Sequence, residues 1–202
     1  MGRYEQLTAG LTIAGRASRA DIDRAETSLG LRFPKDLVEF YESSDGAEGW
    51  VVNEYLAMWP IDQLVELNDA AKVSAFCPGL VILATNGGGD GYGLDTRNDT
   101  LVRVPMIGMT WDEAEPVGST FHEFLGWLAE QAPLTGSQPS LDPAKLGRIV
   151  YEITPIIFGG SPTDPANRAL VPLRDYVRLV AWWNERVDNA RNPLPSNRPT
   201  PT

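Results

Sequence analysis

His122 and Cys77 are the one histidine and the one cysteine in a chain of 202 residues, and this scarcity bounds the chemistry available. A Cys/His zinc site needs three or four such ligands, so structural zinc has almost no room here. A disulfide within the chain is impossible. Nucleophilic catalysis requires a nucleophile beside an oriented base. His122 sits between Phe121 and Glu123 and reads as a solvated or cap-adjacent helix residue. Cys77 precedes Pro78 with no basic cluster beside it in sequence, which suits a small buried or loop cysteine better than a thiolate. No catalytic residue, metal ligand or cofactor-binding residue is assigned, no cofactor is expected, and the chain is read as not an enzyme.

Two further stretches invite a chemical reading. Asp90-Gly91-Tyr92-Gly93-Leu94-Asp95 is similar in outline to a calcium loop but lacks the acidic series and terminal Glu of an EF-hand. Gly87 to Gly93 is glycine-rich like a phosphate loop. No Gly-Lys-Ser/Thr follows it, and the next element reads as a strand, so no helix dipole backs an anion. A strand-to-strand turn is the better reading.

What remains is charge. The formal net charge is -10, from 27 acidic and 17 Lys+Arg residues, and such a surface repels nucleic acid and anionic lipid while attracting basic partners. Asp36, Glu39, Glu42, Asp45 and Glu48 form one acidic concentration, which Glu54 extends. Asp112, Glu113 and Glu115 form another beside Trp111, an aromatic suited to anchoring an interface. These nine residues without Glu54 are the candidate partner-binding set, set against the plainer reading of two solvated faces.

The elements that position them follow from periodicity. Residues 1–17 carry no clear pattern. Ser18 caps a helix with Asp21 in its first turn, a face of Ile22, Ala25, Glu26 and Leu29, and Gly30 as the stop. Glu26 on a core stripe needs a partner if buried. Pro34 opens a second helix at its first position, with Leu37, Phe40 and Tyr41 inward and Asp45-Gly46 ending it. Residues 50–59 read as one strand with a possible bend, Pro60 and Asp62 open a short helix with Ile61, Leu64, Val65 and Asn68 near one side, and Leu80 to Ala84 is a buried central strand. Tyr92 to Thr96 and Leu101 to Pro105 form a hairpin around Arg97-Asn98-Asp99. Ser119 caps an amphipathic helix of Phe121, Phe124, Leu125 and Leu128.

Ala132 to Pro143 reads as linker or exposed loop. Ile149 to Phe158 is placed as an edge strand because of Pro155, Thr163-Asp164-Pro165 as a turn, and Leu173 to Val187 as a docked helix with Trp183 inward and Trp182 off the stripe. From Asn192 the proline-rich tail is expected to be disordered. The expected division is a domain over 1–131, a linker or loop over 132–148, an extension over 149–191 packed on the domain, and a tail over 192–202. No leader or spanning segment is recognised, and a cytoplasmic location is expected.

The run Asp21-Ile22, Ala25-Glu26, Leu29-Gly30-Leu31, Phe33-Pro34, Asp36-Leu37, Phe40-Tyr41 and Ser44-Asp45-Gly46 resembles the opening signature of the SUKH superfamily, which includes a yeast cell-wall-synthesis regulator and bacterial toxin-immunity proteins. Gly88 to Asp95 looks like that family's glycine turn and strand, and Ser119-Thr120-Phe121 with Phe124-Leu125 looks like its closing helix, so the resemblance covers roughly residues 18–130. It implies an α+β fold, a twisted and mostly antiparallel sheet flanked by helices, here with a C-terminal strand-helix extension. It implies no shared catalytic residues. For function it implies an immunity protein that binds and neutralises a bacterial toxin domain, often a nuclease or deaminase, through a partner surface expected to be basic. The alternative is a regulatory or scaffolding interaction module. No direct nucleic acid or membrane partner is expected.

Overall fold

The computed structural model describes residues 3–13, 15–131, 146–161 and 163–191. The linker expected at Ala132 to Pro143 and the tail from Asn192 lie outside them. The first seventeen residues, patternless in sequence, hold a short helix α1 (Arg3–Thr8) and strand β1 (Leu11–Ile13).

Helix α2 (Arg19–Leu29) starts where the Ser18 hydroxyl accepts the Asp21 N–H at 3.2 Å. It stops at Gly30, whose φ of +68° lets Gly30 N–H reach Thr27 O and Leu31 N–H reach Glu26 O, satisfying carbonyls that a helix end leaves open. Helix α3 (Lys35–Ser43) begins one residue later than expected, with Pro34 as its N-cap at φ -53°. Leu37, Phe40 and Tyr41 are buried, as their spacing requires.

The single bent strand expected over 50–59 is two strands, β2 (Ala47–Val51) and β3 (Glu54–Met58), joined by a tight turn. The turn was hidden because Val52, a β-branched residue, takes a positive φ of 55° there. Tertiary contact supports it: Asn53 Nδ2 donates to Gln131 O at 3.0 Å, just past the end of α6 (Phe121–Glu130). The cap of α6 is Thr120 rather than Ser119. Thr120 Oγ1 accepts the Glu123 N–H at 3.1 Å, and the Glu123 carboxylate returns to the Ser119 N–H at 2.8 Å.

Helices α4 (Leu64–Ala70) and α5 (Val73–Phe76) precede the fully buried strand β4 (Leu80–Thr85). β3 pairs with β4 only at Ala57–Thr85 and Met58–Ala84, which leaves Ile82 without a strand partner on that side. Asn68 of α4 takes over. Its amide accepts the Ile82 N–H at 2.8 Å and donates to Ile82 O at 2.9 Å, so both backbone groups stay paired where water is excluded. Strands β5 (Asp90–Asp95), β6 (Thr100–Pro105) and β7 (Glu115–Gly118) complete the sheet.

Among the described residues, the seven strands lie in the order β1 to β7 with antiparallel neighbours throughout. This is the α+β architecture expected. Tyr92 of β5 packs its ring 5.1 Å from Phe124 of α6, centroid to centroid, which fixes that helix on one face. Gly91 and Gly93 alternate to the other face. A Cβ at Gly93 would lie 2.7 Å from Val81 O, so strands β4 and β5 approach there as only glycine permits.

The extension comprises β8 (Arg148–Glu152), β9 (Arg168–Pro172) and the long helix α7 (Leu173–Arg191). β8 pairs with β9 in a separate two-stranded sheet. The strand expected to run to Phe158 stops at Glu152, because Pro155 caps a 3-10 turn over Ile156–Phe158 instead. Asn167 closes the hairpin, its side chain bonding both the N–H and the C=O of Thr154 at 2.8 Å. Tyr176, Val177, Val180 and Val187 of α7 are buried.

Candidate functional site

Three of the five carboxylates in the first acidic group are used by the fold itself. Asp36 Oδ2 accepts the His122 N–H at 3.2 Å, joining the starts of α3 and α6. Asp45 Oδ1 accepts the Ile61 N–H at 2.8 Å; burial, and then the charges of Asp62 and Asp21, hold its carboxyl above the usual range. Glu48 accepts the Tyr55 hydroxyl and, at 2.7 Å, the Gly147 N–H, so it ties β2 to the chain entering β8. Glu39 and Glu42 face solvent on α3, with Lys35 3.3 Å from Glu39. Glu54, which extended that group in sequence, also turns inward. Its carboxylate meets Asn86 Nδ2 at 3.2 Å and the Tyr92 hydroxyl at 3.4 Å, and burial raises its pKa.

The second group stays at the surface. Trp111, Asp112 and Glu113 form a single 3-10 turn after β6, and Glu115 opens β7 with its carboxylate 3.5 Å from Arg103. Trp111 is half-buried and fixed at two points. Its Nε1–H donates to Pro78 O at 3.2 Å, and the Arg97 guanidinium lies 3.4 Å above its ring. Arg97 is held in turn by two 2.8 Å bonds to Asp95, whose carboxyl the guanidinium keeps below the usual range. Asp112 and Glu113 are exposed at the mouth of a cleft of about 750 Å³, whose other wall is the C-terminal half of α7 with Glu185, Asp188 and Arg191. The sequence reading missed Glu185 and Asp188. They are visible as the polar side of the α7 stripe, but their juxtaposition with Asp112 spans more than seventy residues of chain and arises only on folding.

The groups weighed for catalysis sit in plain structural roles. Cys77 is buried, and burial pushes its thiol up to about 11, so little thiolate is present at neutral pH. His122 is exposed beside Asp36. The glycine-rich turn is closed by Asn86, whose Oδ1 accepts the N–H groups of Gly88 at 2.8 Å and Asp90 at 3.0 Å, and it leads into strand β5. Among the described residues, no group of three or more His, Cys, Asp or Glu is arranged to hold a metal ion. None of the described helices is long and apolar enough to cross a membrane.

Glu26 answers the question its position raised. It is 2% exposed, and it accepts the Phe33 N–H at 2.8 Å and an Arg32 N–H at 2.5 Å. The carboxylate therefore clamps the connection between α2 and α3.

The chain is thus an antiparallel α+β sheet with its signature residues spent on packing and its exposed carboxylates on loops and helix faces. The sequence model of the SMI1 / KNR4 family (SUKH-1) matches residues 16–127. That is over half of the chain, and the chain belongs to this family, within the SUKH superfamily. A search of curated proteins found no match.

Proposed function

We propose that this protein is an immunity protein that docks on a toxin domain, often a nuclease or deaminase in such systems, and neutralises it without chemistry of its own. The family match over residues 16–127 carries this reading, because it supports a general interaction role. The net charge of -10 adds to it: a nuclease or deaminase surface built to hold a nucleic acid is basic, and an acidic partner meets it fast and blocks it. Glu39, Glu42, Asp112, Glu113 and Glu115 are the members of the expected set exposed to such a partner. The cytoplasm is the compartment this reading assigns.

The test is co-expression with each toxin candidate encoded beside the gene. Growth should recover with the intact protein and association of the purified pair should weaken with salt. Failure to rescue growth from every adjacent candidate overturns the proposal. Capture of a partner that is lost when residues 192–202 are removed would favour a scaffolding role.

A further inference from the structure

Resting on the protein-binding reading above, we infer that the cleft between the Trp111–Glu113 turn and α7 is the docking face, and that it takes a basic amphipathic segment of a protein partner. Two independent features meet there. The first is charge. Among the described residues, Asp112 and Glu113 on one wall and Glu185 and Asp188 on the other line the cleft with four carboxylates, against two cations, Lys72 and Arg191, so this lining is net negative. Both cations are engaged by the fold: Lys72 pairs with Glu185, and Arg191 donates to Gly108 O at 3.3 Å.

The second feature is apolar and lies on the rim. Ile156, Ile157 and Phe158 are consecutive, and all are exposed, Ile157 by 54%. A Cβ at Gly108, on the cleft wall, would lie 3.6 Å from Ile157 Cδ1 and 3.7 Å from Arg191 Nη2, so the apolar turn borders the cleft directly. The strip continues outward, with Phe158 4.7 Å from Trp183 and Trp183 4.7 Å from the exposed Trp182, ring centroid to ring centroid. Three adjacent large side chains facing water, on a turn capped by Pro155, are an anchor surface without a cover among the described residues. A partner that places Leu or Phe on this rim and Lys or Arg into the cleft satisfies both features at once. The charge disfavours nucleic acid and anionic lipid at the same place. The cleft is also built to hold its shape. Asn184, buried at its base, bonds Gly108 N–H and Met106 O, and the bonded and stacked Trp111 fixes the opposite turn.

The experiment titrates the full chain with a fluorescein-labelled helical peptide of about 18 residues made of Leu and Lys at amphipathic spacing. Binding should weaken in salt. Ile157→Ser, and separately Asp112→Lys with Glu113→Lys, should each weaken it by about tenfold or more, whereas Glu39→Lys with Glu42→Lys on α3 should change it by less than about twofold. All five positions are exposed, and thermal unfolding confirms that each variant is folded. Hydrogen exchange should show peptide-dependent protection across residues 106–113 and 184–191. Absence of binding, equal loss from both charge-reversal pairs, or indifference to Ile157→Ser overturns the inference. The growth assay separates it from the immunity proposal. Mapping to the cleft without rescue from any toxin sinks immunity and leaves the docking face. Rescue undiminished by the cleft variants sinks the docking face and leaves immunity.

Discussion

Asn184, near the C-terminal end of α7, accepts the Gly108 N–H at 2.6 Å through its side-chain oxygen and donates to Met106 O at 2.8 Å, so one buried amide bolts the extension to the loop after β6. Asn184 is 2% exposed and Gly108 is also buried, which leaves no water to replace these bonds. Asn184→Ala should therefore cost about 2 kcal/mol or more in urea unfolding of the intact chain, because it strands a buried donor and acceptor. Amide exchange in residues 173–191 should accelerate more than in β4. Unchanged exchange in α7 would show that the apolar stripe alone holds the helix.

Glu26 makes a second discriminating site. Glu26→Ala leaves the Phe33 N–H without its acceptor and removes the charge that Arg32 meets, and should lower stability by about 3 kcal/mol. Glu26→Gln keeps an oxygen for Phe33 and should recover a good part of that loss. Thermal unfolding of the two variants side by side checks it, and equal losses would mean the charge, not the backbone bond, dominates.

Two glycines should respond differently to alanine. At Gly93 the added Cβ meets Val81 O at 2.7 Å, a backbone atom in the centre of the sheet, so Gly93→Ala should cost several times what Gly30→Ala costs. At Gly30 the space is open and only the positive φ of 68° is strained, worth about 1 kcal/mol. Comparable losses at the two positions would show that β4 and β5 can separate.

The pH dependence should carry the mark of Glu54 and Asp90. Burial first, and then the charge of Asp90 on Glu54 and of Glu115 on Asp90, hold the two carboxyls above their ordinary values of 4.5 and 3.8. A carboxyl raised in the folded state binds its proton more tightly there than in the unfolded chain. Its penalty is therefore present in full above the folded pKa and fades as pH falls through that value towards the ordinary one. Glu54→Gln should stabilise the protein at neutral pH relative to its effect near pH 4, where the wild-type group is itself largely protonated. Asp95, lowered by Arg97, works in the opposite sense, so the difference between variant and wild type across the pH range is the measurement to make. A difference independent of pH would refute the raised value.

Much of the helical framework was legible because local rules and tertiary demands agree. Ser18, Asp21, Gly30, Leu37, Phe40 and Tyr41 each occupy the role their type and spacing assign. Discrepancies arise where a distant partner overrides local preference. Val52 turns the chain at a positive φ, with Asn53 beside it bonded to the end of α6, and no strand propensity of valine forecasts that. Beyond β8, where Pro155 turns the chain into the 3-10 turn, Asn167 from across the hairpin holds that exit by bonding Thr154. Asp36, Asp45 and Glu48 looked like surface charge from composition, yet each accepts a backbone N–H from another element.

By itself the sequence determined what is intrinsic to composition and short spacing. One histidine and one cysteine bar a Cys/His metal centre, 27 acidic residues set the sign of the surface, and helix periods with their caps and stops mark a family signature. Only the tertiary structure decided which carboxylates remain outside. A carboxylate's availability depends on whether a backbone N–H from elsewhere in the chain lies within reach, because a carboxylate that accepts such a charge-assisted bond is held in place by the fold. The same long-range packing that consumed Asp36, Asp45 and Glu48 brought Asp112 and Glu113 opposite Glu185 and Asp188, beside an apolar turn from a third segment of the chain.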